Sequence, residues 1–599
     1  MKLSDYVATF LADHGTTDIF LVTGGGAMHL NDSIGRQRRL RYVCCHHEQA
    51  CSIAAEGYAR VTGRPGVVCV TTGPGGINAL NGVFGAWTDS IPLLVVSGQV
   101  KRATCMGSCH LDDLRQLGDQ EADILAMARG ITKYAVRVDE PAEIRFHLEK
   151  AFHLATTGRP GPCWIDIPLD VQASAVAPDE LAGYTPLPTP GLVGAELETV
   201  CDAVLDRLAA AARPVILVGT GVRLAGAAAV FDRVVHRLGV PVATAWTAHD
   251  LMDSDDPLAC GRPGTVGDRA GNFTVQNADV LLVIGSRLNI RQVSYNWQAF
   301  APHAYKIQVD IDPGEMAKPT VRPDMPVVAD AGAFLTALEG RIAARDFDAA
   351  AHGPWLAWCR ERVKRYPVVL PRHRALAGNR INPYYFIEAL FDRLRPDDVI
   401  VCGNGSACVI PFQAGRIKKG QRLFANSGCA SMGYDLPAAV GAAVARGGRR
   451  VICLAGDGSL MMNVQELATV AGLSLPILLF VLNNAGYLSI RQTQQSFFDG
   501  RLMGSDPASG VQLPDFTRLG HGFGLEAQPL EGPDFLRDLD AILATSGPRL
   551  VDVRLDADQG FEPKLRSRQL PDGRIVSPSL EDMYPFLDPQ ELRTNMYND

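Results

Sequence analysis

The sequence has no CxxC pair, no excess of positive charge and no apolar stretch of membrane-spanning length. Its 14 cysteines are scattered through strand-like segments such as Cys69, Cys163 and Cys453, which points to a reduced protein rather than a disulfide scaffold. Cys105, Cys109 and His110, with Cys44, Cys45, His46 and His47 upstream, lack zinc-type spacing and read as buried small residues and loop thiols. Lys plus Arg number 57 against 65 Asp plus Glu, a net charge of −8 with no run of one sign, so no nucleic-acid partner is expected. The opening MKLSDYVATFLADHG reaches Asp13 before any stretch of signal-peptide length. The longest apolar run, 468–482, is broken by Gly472, Ser474 and Pro476, whereas a spanning helix needs about 20 apolar residues. A cytoplasmic protein without membrane contact is expected. What is present is ordinary globular composition, 47% hydrophobic and 20% charged over 599 residues, enough for three or four domains.

Three stretches repeat a rhythm of short β-branched runs, a Gly-rich turn and a helical pattern, the mark of βαβ units and parallel sheets. The first covers 1–175 and holds VVCVTTGPGG and PLLVVSGQ. A linker follows from Ala177 to Pro190, where Pro178, Pro186, Pro188 and Pro190 deny a regular element. The second covers 192–345, with PVILVGTG, DVLLVIGSR and YKIQVDIDP; a polar, Arg-rich segment leads to the third, 378–558, with VIVCGNGSA, RVICLAGDGS and PILLFVLNN. Residues 559–599 form a tail that is a candidate lid. The fold class expected is α/β, with three doubly wound parallel-sheet domains. RPGVVCVTTGPGG and RRVICLAGDGS, each followed by a helix, a Pro and another apolar strand, suggest that the first and third domains are one unit used twice.

The sharpest chemical signal is Gly456-Asp457-Gly458-Ser459 followed, after a helix and a strand, by Asn483-Asn484. Asp457 ends the strand VICLA, so its carboxylate falls at the carboxyl edge of a parallel sheet, where such folds bind ligands. The glycines let backbone approach phosphate. The returning strand sets Asn484 at a neighbouring strand end, and a carboxylate, an amide oxygen and a backbone carbonyl suit Mg2+. A lone GDG is a common turn; with 24 residues between Gly458 and Asn483 it becomes specific.

GDGS…NN resembles the thiamine diphosphate signature, and the resemblance extends along the chain to the acetolactate synthase-like family. It is carried by CHHEQACSIAAEGYAR, TTGPGGINALNGVFGAWTDSIPLLVVSGQV and QEADILAMARGITKYA, by ADVLLVIGSRLNIRQ and VDIDPGEMAK, and by NSGCASMGYDLPAAVGAAVA. The resemblance implies a pyrimidine-binding first domain, a central FAD-binding-like domain and a diphosphate-binding third domain. It implies thiamine diphosphate with Mg2+ on Asp457, Asn484 and the Gly486 carbonyl. Gly403, Ser406, Gly456, Gly458 and Ser459 would line the diphosphate pocket, with Gly73 and Pro74 on the opposite domain. Ala430 would hold the cofactor amino group and Met432 its bend. Glu48 would activate the aminopyrimidine ring, a task that predicts a largely buried carboxyl. Gln120 matches a residue near the substrate.

In the central domain GTGVRLAG is not GxGxxG, so its spacing alone says little. Resemblance to the flavin-binding branch implies FAD, largely structural, on Gly219, Gly221, Arg223, Gly285, Ser286, Arg287, Asp310 and Asp312. The family also implies a homodimer or homotetramer with the cofactor between subunits. Two departures stand out: Asp119 replaces a Phe before the substrate Gln, and Thr493 replaces a Trp in the loop after the metal motif. With Leu488 these would shape a wider, more polar acceptor pocket. That loop and the tail look closer to branched-chain-sugar carboligases of the yersiniose type, which implies transfer of a pyruvate-derived acetyl unit to a ketone or aldehyde, a keto sugar among them. The alternatives are acetolactate synthesis from two pyruvates and a catalytically silent flavin- or thiamine diphosphate-binding regulatory protein.

Overall fold

The computed structural model describes residues 1–599 except 110, 112, 189–190, 346, 570–571 and 598–599. His110, Pro190 and the tail residues Leu570 and Pro571 of the sequence reading therefore lie outside the described residues. Short apolar runs form the strands, the inner ones largely buried on both faces as parallel sheets covered by helices require, several edge ones partly exposed. The first sheet holds β1 (Asp18–Leu21), β2 (Arg41–Cys44), β3 (Gly66–Val70), β4 (Leu93–Gln99), β5 (Tyr134–Arg137) and β6 (Pro162–Pro168). The second holds β7 (Pro214–Val218), β8 (Val242–Thr244), β9 (Val280–Ile284), β10 (Tyr305–Asp310) and β11 (Met325–Val328). The third holds β12 (Val399–Cys402), β13 (Arg422–Phe424), β14 (Val451–Gly456), β15 (Ile477–Asn483), β16 (Glu526–Leu530) and β17 (Arg549–Arg554).

All neighbouring strands in these sheets are parallel. The first sheet runs β2-β1-β3-β4-β6-β5 and the third β13-β12-β14-β15-β17-β16, one path used twice, in line with the repeated motif. The central sheet runs β11-β10-β9-β7-β8. In the third sheet the strand order reverses between β12 and β14, so a crevice opens at their carboxyl ends. CGNGS and GDGS both fall there.

The two outer sheets share one hydrophobic core, in which Ala54, Val68 and Val95 join Ala438, Val451 and Val481. The join is made by the helices Glu48–Thr62 and Asp435–Ala445. Their backbones approach so closely that a Cβ on Gly57 would stand 2.4 Å from the Ala438 carbonyl oxygen, and one on Gly441 1.8 Å from that of Ala54. Only glycine admits this contact, which fixes the helix carrying Glu48 against the domain carrying Asp457.

The tail does not hang free. Leu580 and Met583 are buried, Asn272 donates to the Leu580 carbonyl (2.8 Å), Gln276 to Glu581 (2.8 Å) and Asn277 to the Asn595 carbonyl (2.9 Å). It is a strap on the helix Arg269–Gln276 and the residue after it, where buried amides of the central domain are satisfied by groups of the tail. The 14 cysteines are all free thiols. Among the described residues no helix is long and apolar enough to cross a membrane.

Candidate active site

At the crevice of the third sheet Asp457 opens the short helix Asp457–Leu460 directly after β14 and is 2% exposed. Oδ1 accepts the Gly458 N–H (2.7 Å), and Oδ2 accepts those of Asn484 (3.1 Å) and Gly486 (2.9 Å). Burial pushes its pKa up to about 6, against the pull of these three donors. Asn484, 5% exposed, donates through Nδ2 to Ser406 Oγ (3.0 Å). That bond turns Oδ1 the other way, where it is buried and has no hydrogen-bond partner among the described residues. A buried carboxylate beside an unsatisfied amide oxygen is the donor set a hard dication takes, so these residues fit Mg2+. Gly486 (φ +123°) completes the loop; a Cβ there would lie 2.4 Å from the Ser505 carbonyl oxygen.

Other expected diphosphate residues have framework duties. Ser459 Oγ donates to Asp435 Oδ2 (2.6 Å) and accepts the Gly433 N–H (2.9 Å), while a Cβ on Gly403 would strike the same Asp435 oxygen at 2.3 Å. Gly458 lies under the Tyr487 ring, and Gly456 ends β14. Asp435, fully buried with its pKa raised to about 6 by burial, is the hub of this cradle. Sequence reasoning passed over it; its position opening a helix just after ASMGY was the available signal. Ala430 adopts φ +56°, a left-handed conformation unfavourable for a residue with a Cβ, and Met432 follows it, half-buried.

On the first domain Glu48 begins the helix Glu48–Thr62, whose N-cap His47 accepts the Gln49 N–H (3.1 Å). Asn78 donates to Glu48 Oε2 (3.0 Å). Glu466 of the third domain, fully buried, accepts the His46 N–H (3.0 Å) and so holds the chain two residues before Glu48. Asn78 and Glu466 were not foreseen because their partners are distant in sequence. Glu48 itself is half-buried in the single chain rather than largely buried as expected, with Asn78 and the backbone near Gly75 against its carboxylate.

Gly73 (φ +61°) caps the helix Pro74–Asp89, and a Cβ on it would meet the Gln120 carbonyl oxygen at 2.0 Å. Gln120 (φ +62°) thus meets this turn through its backbone, with its side chain exposed. The loop is tied by Glu121, which accepts the N–H groups of Met106 (2.6 Å) and Gly118 (3.0 Å). Of the three acceptor-pocket residues, Asp119 and Thr493 are exposed, and Thr493 donates to the Ser489 carbonyl (3.0 Å). Leu488 is buried in the single chain, 5% exposed.

A separate cleft of about 500 Å³ is lined by Gly219, Gly221, Gly285, Ser286, Arg287 and Asp310 together with Arg159 of the first domain. Its glycines first serve each other: a Cβ on Gly219 would stand 2.2 Å from the Gly285 carbonyl oxygen. Arg223 and Asp312 are not among the residues lining this cleft. Arg223 is drawn away to Asp250 (3.0 Å), and Asp312 caps the helix Pro313–Ala317 and pairs with Arg159 (2.7 Å).

Comparison with known proteins agrees with this geometry. Residues 1–127 match the thiamine pyrophosphate enzyme N-terminal TPP binding domain, 201–338 its central domain and 403–553 its C-terminal TPP binding domain. The acetolactate synthase large subunit of Parasynechococcus marenigrum is 33% identical over 573 residues, 92% of this chain and 87% of its own. The acetolactate synthase isozyme 2 large subunit of Escherichia coli is 32% identical over 564 residues, 94% of this chain and 97% of its own. The chloroplastic acetolactate synthase 2 of Zea mays is 31% identical, covering 94% of this chain and 87% of its own. The chain therefore belongs to the thiamine diphosphate-dependent, acetolactate synthase-like family of carbon–carbon bond-forming enzymes.

Proposed function

We propose that the protein decarboxylates a 2-keto acid, pyruvate first, and joins the remaining two-carbon unit to a second carbonyl compound. The observation that carries this reading is the unsatisfied, buried Asn484 Oδ1 beside the Asp457 carboxylate at the sheet crevice. Asp457, Asn484 Oδ1 and the Gly486 carbonyl would hold Mg2+, and through it the diphosphate, with Ser406 fixing the Asn484 amide. When bound, thiamine diphosphate supplies the electron sink that lets a keto acid lose CO2 and its carbonyl carbon act as a nucleophile. Glu48, held at Oε2 by Asn78, takes and returns a proton at Oε1. Ala430 and Met432 support the middle of the site, and Gln120 its substrate edge.

FAD is the occupant proposed for the central cleft, whose volume lies in the range of cofactor sites. The overall reaction has no net redox change, so the flavin's part is structural. Two copies of the chain are proposed to complete the site. The helix Pro74–Asp89 exposes Ile77, Phe84 and Trp87 along one face, beginning next to Asn78, and a second chain covering that stripe would also bury Glu48.

The names of the relatives favour pyruvate as acceptor, and so acetolactate as product, over the sugar-like ketone that the sequence first suggested. One observation supports the second reading: Asp119 and Thr493 present polar groups at positions where aromatics were expected, which suits a hydroxylated acceptor. Competition separates the two. With Mg2+, thiamine diphosphate, FAD and equal pyruvate and cyclic or sugar-like ketone, the first reading predicts acetolactate in clear excess by chiral chromatography. A clear excess of the cross-product would replace it with the second.

A further inference from the structure

The loop that carries the metal donors has an unusual backbone. Ala485 (φ +60°) and Gly486 (φ +123°) are successive residues in the left-handed region, and the first of them carries a Cβ. Asp457 takes the N–H groups of Asn484 and Gly486 on one side of the loop. The carbonyls of Asn484 and Ala485 face the other side, and both are taken by one side chain. Arg491, on the helix Leu488–Phe497 and 8% exposed, donates from Nη2 to the Asn484 carbonyl (3.1 Å) and from Nη1 to that of Ala485 (3.3 Å). Nη2 also reaches the Ala557 carbonyl (3.0 Å), where the chain leaves β17 for the tail. Among the described residues Arg491 forms no ion pair, and the three hydrogen bonds of its Nη atoms all go to backbone carbonyls. Its charge is felt by Asp457 and Asp506, yet among the described residues no carboxylate pairs with it directly, and burying a cation on those terms is costly unless its hydrogen bonds perform a task.

We propose that Arg491 is a positioning residue of the metal loop, holding Asn484 and Gly486 in the strained arrangement that presents their oxygens to Mg2+. The proposal rests on the reading of Asp457 and Asn484 as metal ligands. Two carbonyls on adjacent residues need two N–H donors held in a plane; an ammonium group has the charge but not the fork. Arg491→Lys should therefore fail as a substitute. Mg2+ demands near-ideal octahedral geometry at short distance, whereas Ca2+ tolerates irregular coordination. Loosening the loop should thus weaken Mg2+ far more than Ca2+, while loss of charge or general destabilisation would shift both alike.

The test is binding, not turnover: the concentrations of Mg2+ and of Ca2+ that half-saturate thiamine diphosphate binding, measured by calorimetry on wild type, Arg491→Lys, Arg491→Met and Asp457→Ala. The expected result for Arg491→Lys is a Mg2+ half-saturation raised about 10- to 100-fold, the usual scale for loss of a group that orients a ligand, with a smaller shift for Ca2+. Arg491→Met should do the same; if it fails to fold, Arg491→Lys decides. Wild-type Mg2+ dependence in Arg491→Lys, or equal losses for both ions, overturns the proposal. If Asp457→Ala collapses binding in that case, the positioning role alone is wrong; if Asp457→Ala also binds normally, the metal reading falls with it.

Discussion

Glu48→Gln should leave thiamine diphosphate and Mg2+ bound while exchange of the cofactor C2 proton for deuterium slows by about a hundredfold or more. The amide has the size of the carboxyl and can still meet Asn78, so the helix start capped by His47 and the latch from Glu466 to the His46 N–H remain. What is lost is the capacity to take and release a proton at Oε1. Binding and proton transfer are therefore separated by one atom, and the effect falls on the rate alone. Quenched-exchange NMR of the bound cofactor reads this directly. An unchanged exchange rate would remove Glu48 from the chemistry, and lost binding with an unchanged rate in the residual complex would make it a holding residue instead.

Asp457→Ala should abolish Mg2+-dependent binding of thiamine diphosphate, with affinity down more than a hundredfold. Two losses coincide. The metal loses its only charged protein ligand in this set, and the N–H groups of Gly458, Asn484 and Gly486 lose their shared acceptor, so the loop that should present Asn484 Oδ1 has nothing to close on. The central sheet lies in a separate domain and its cleft should be untouched, so flavin content, followed by absorbance, is the internal control for folding. Wild-type affinity for thiamine diphosphate in this variant would refute the metal assignment.

How much of this was legible in the sequence depended on the range of each contact. GDGS and NN could be read because Asp457 and Asn484 sit at the ends of adjacent strands, β14 and β15, and strand spacing alone brings them together. The repeated Gly-rich turns likewise foretold the shared path of the outer sheets. Glu466 could not be read, because its partner is a backbone N–H in another domain; Asp435 left only its place at a helix start as a signal, and Arg491 acts on carbonyls six and seven residues back whose positions follow from the left-handed turn of the loop. Ser459 and Gly403 are both built around Asp435, which the motif does not mark. The ion pairs of Arg223 with Asp250 and of Asp312 with Arg159 join residues distant in sequence, so no motif marks them. The docking of the tail could not be read because its anchoring amides, Asn272 and Asn277, lie some three hundred residues earlier.

The measurement that bears most directly on the account is the fate of labelled pyruvate. With [1-13C]pyruvate, Mg2+ and thiamine diphosphate, the account predicts 13CO2 release matched one to one by a new carbon–carbon bonded product. In Asp457→Ala and Glu48→Gln both should fall to background together. No CO2 release by the wild-type protein above that of Asp457→Ala, with thiamine diphosphate demonstrably bound, would contradict it and leave a cofactor-binding protein without this chemistry.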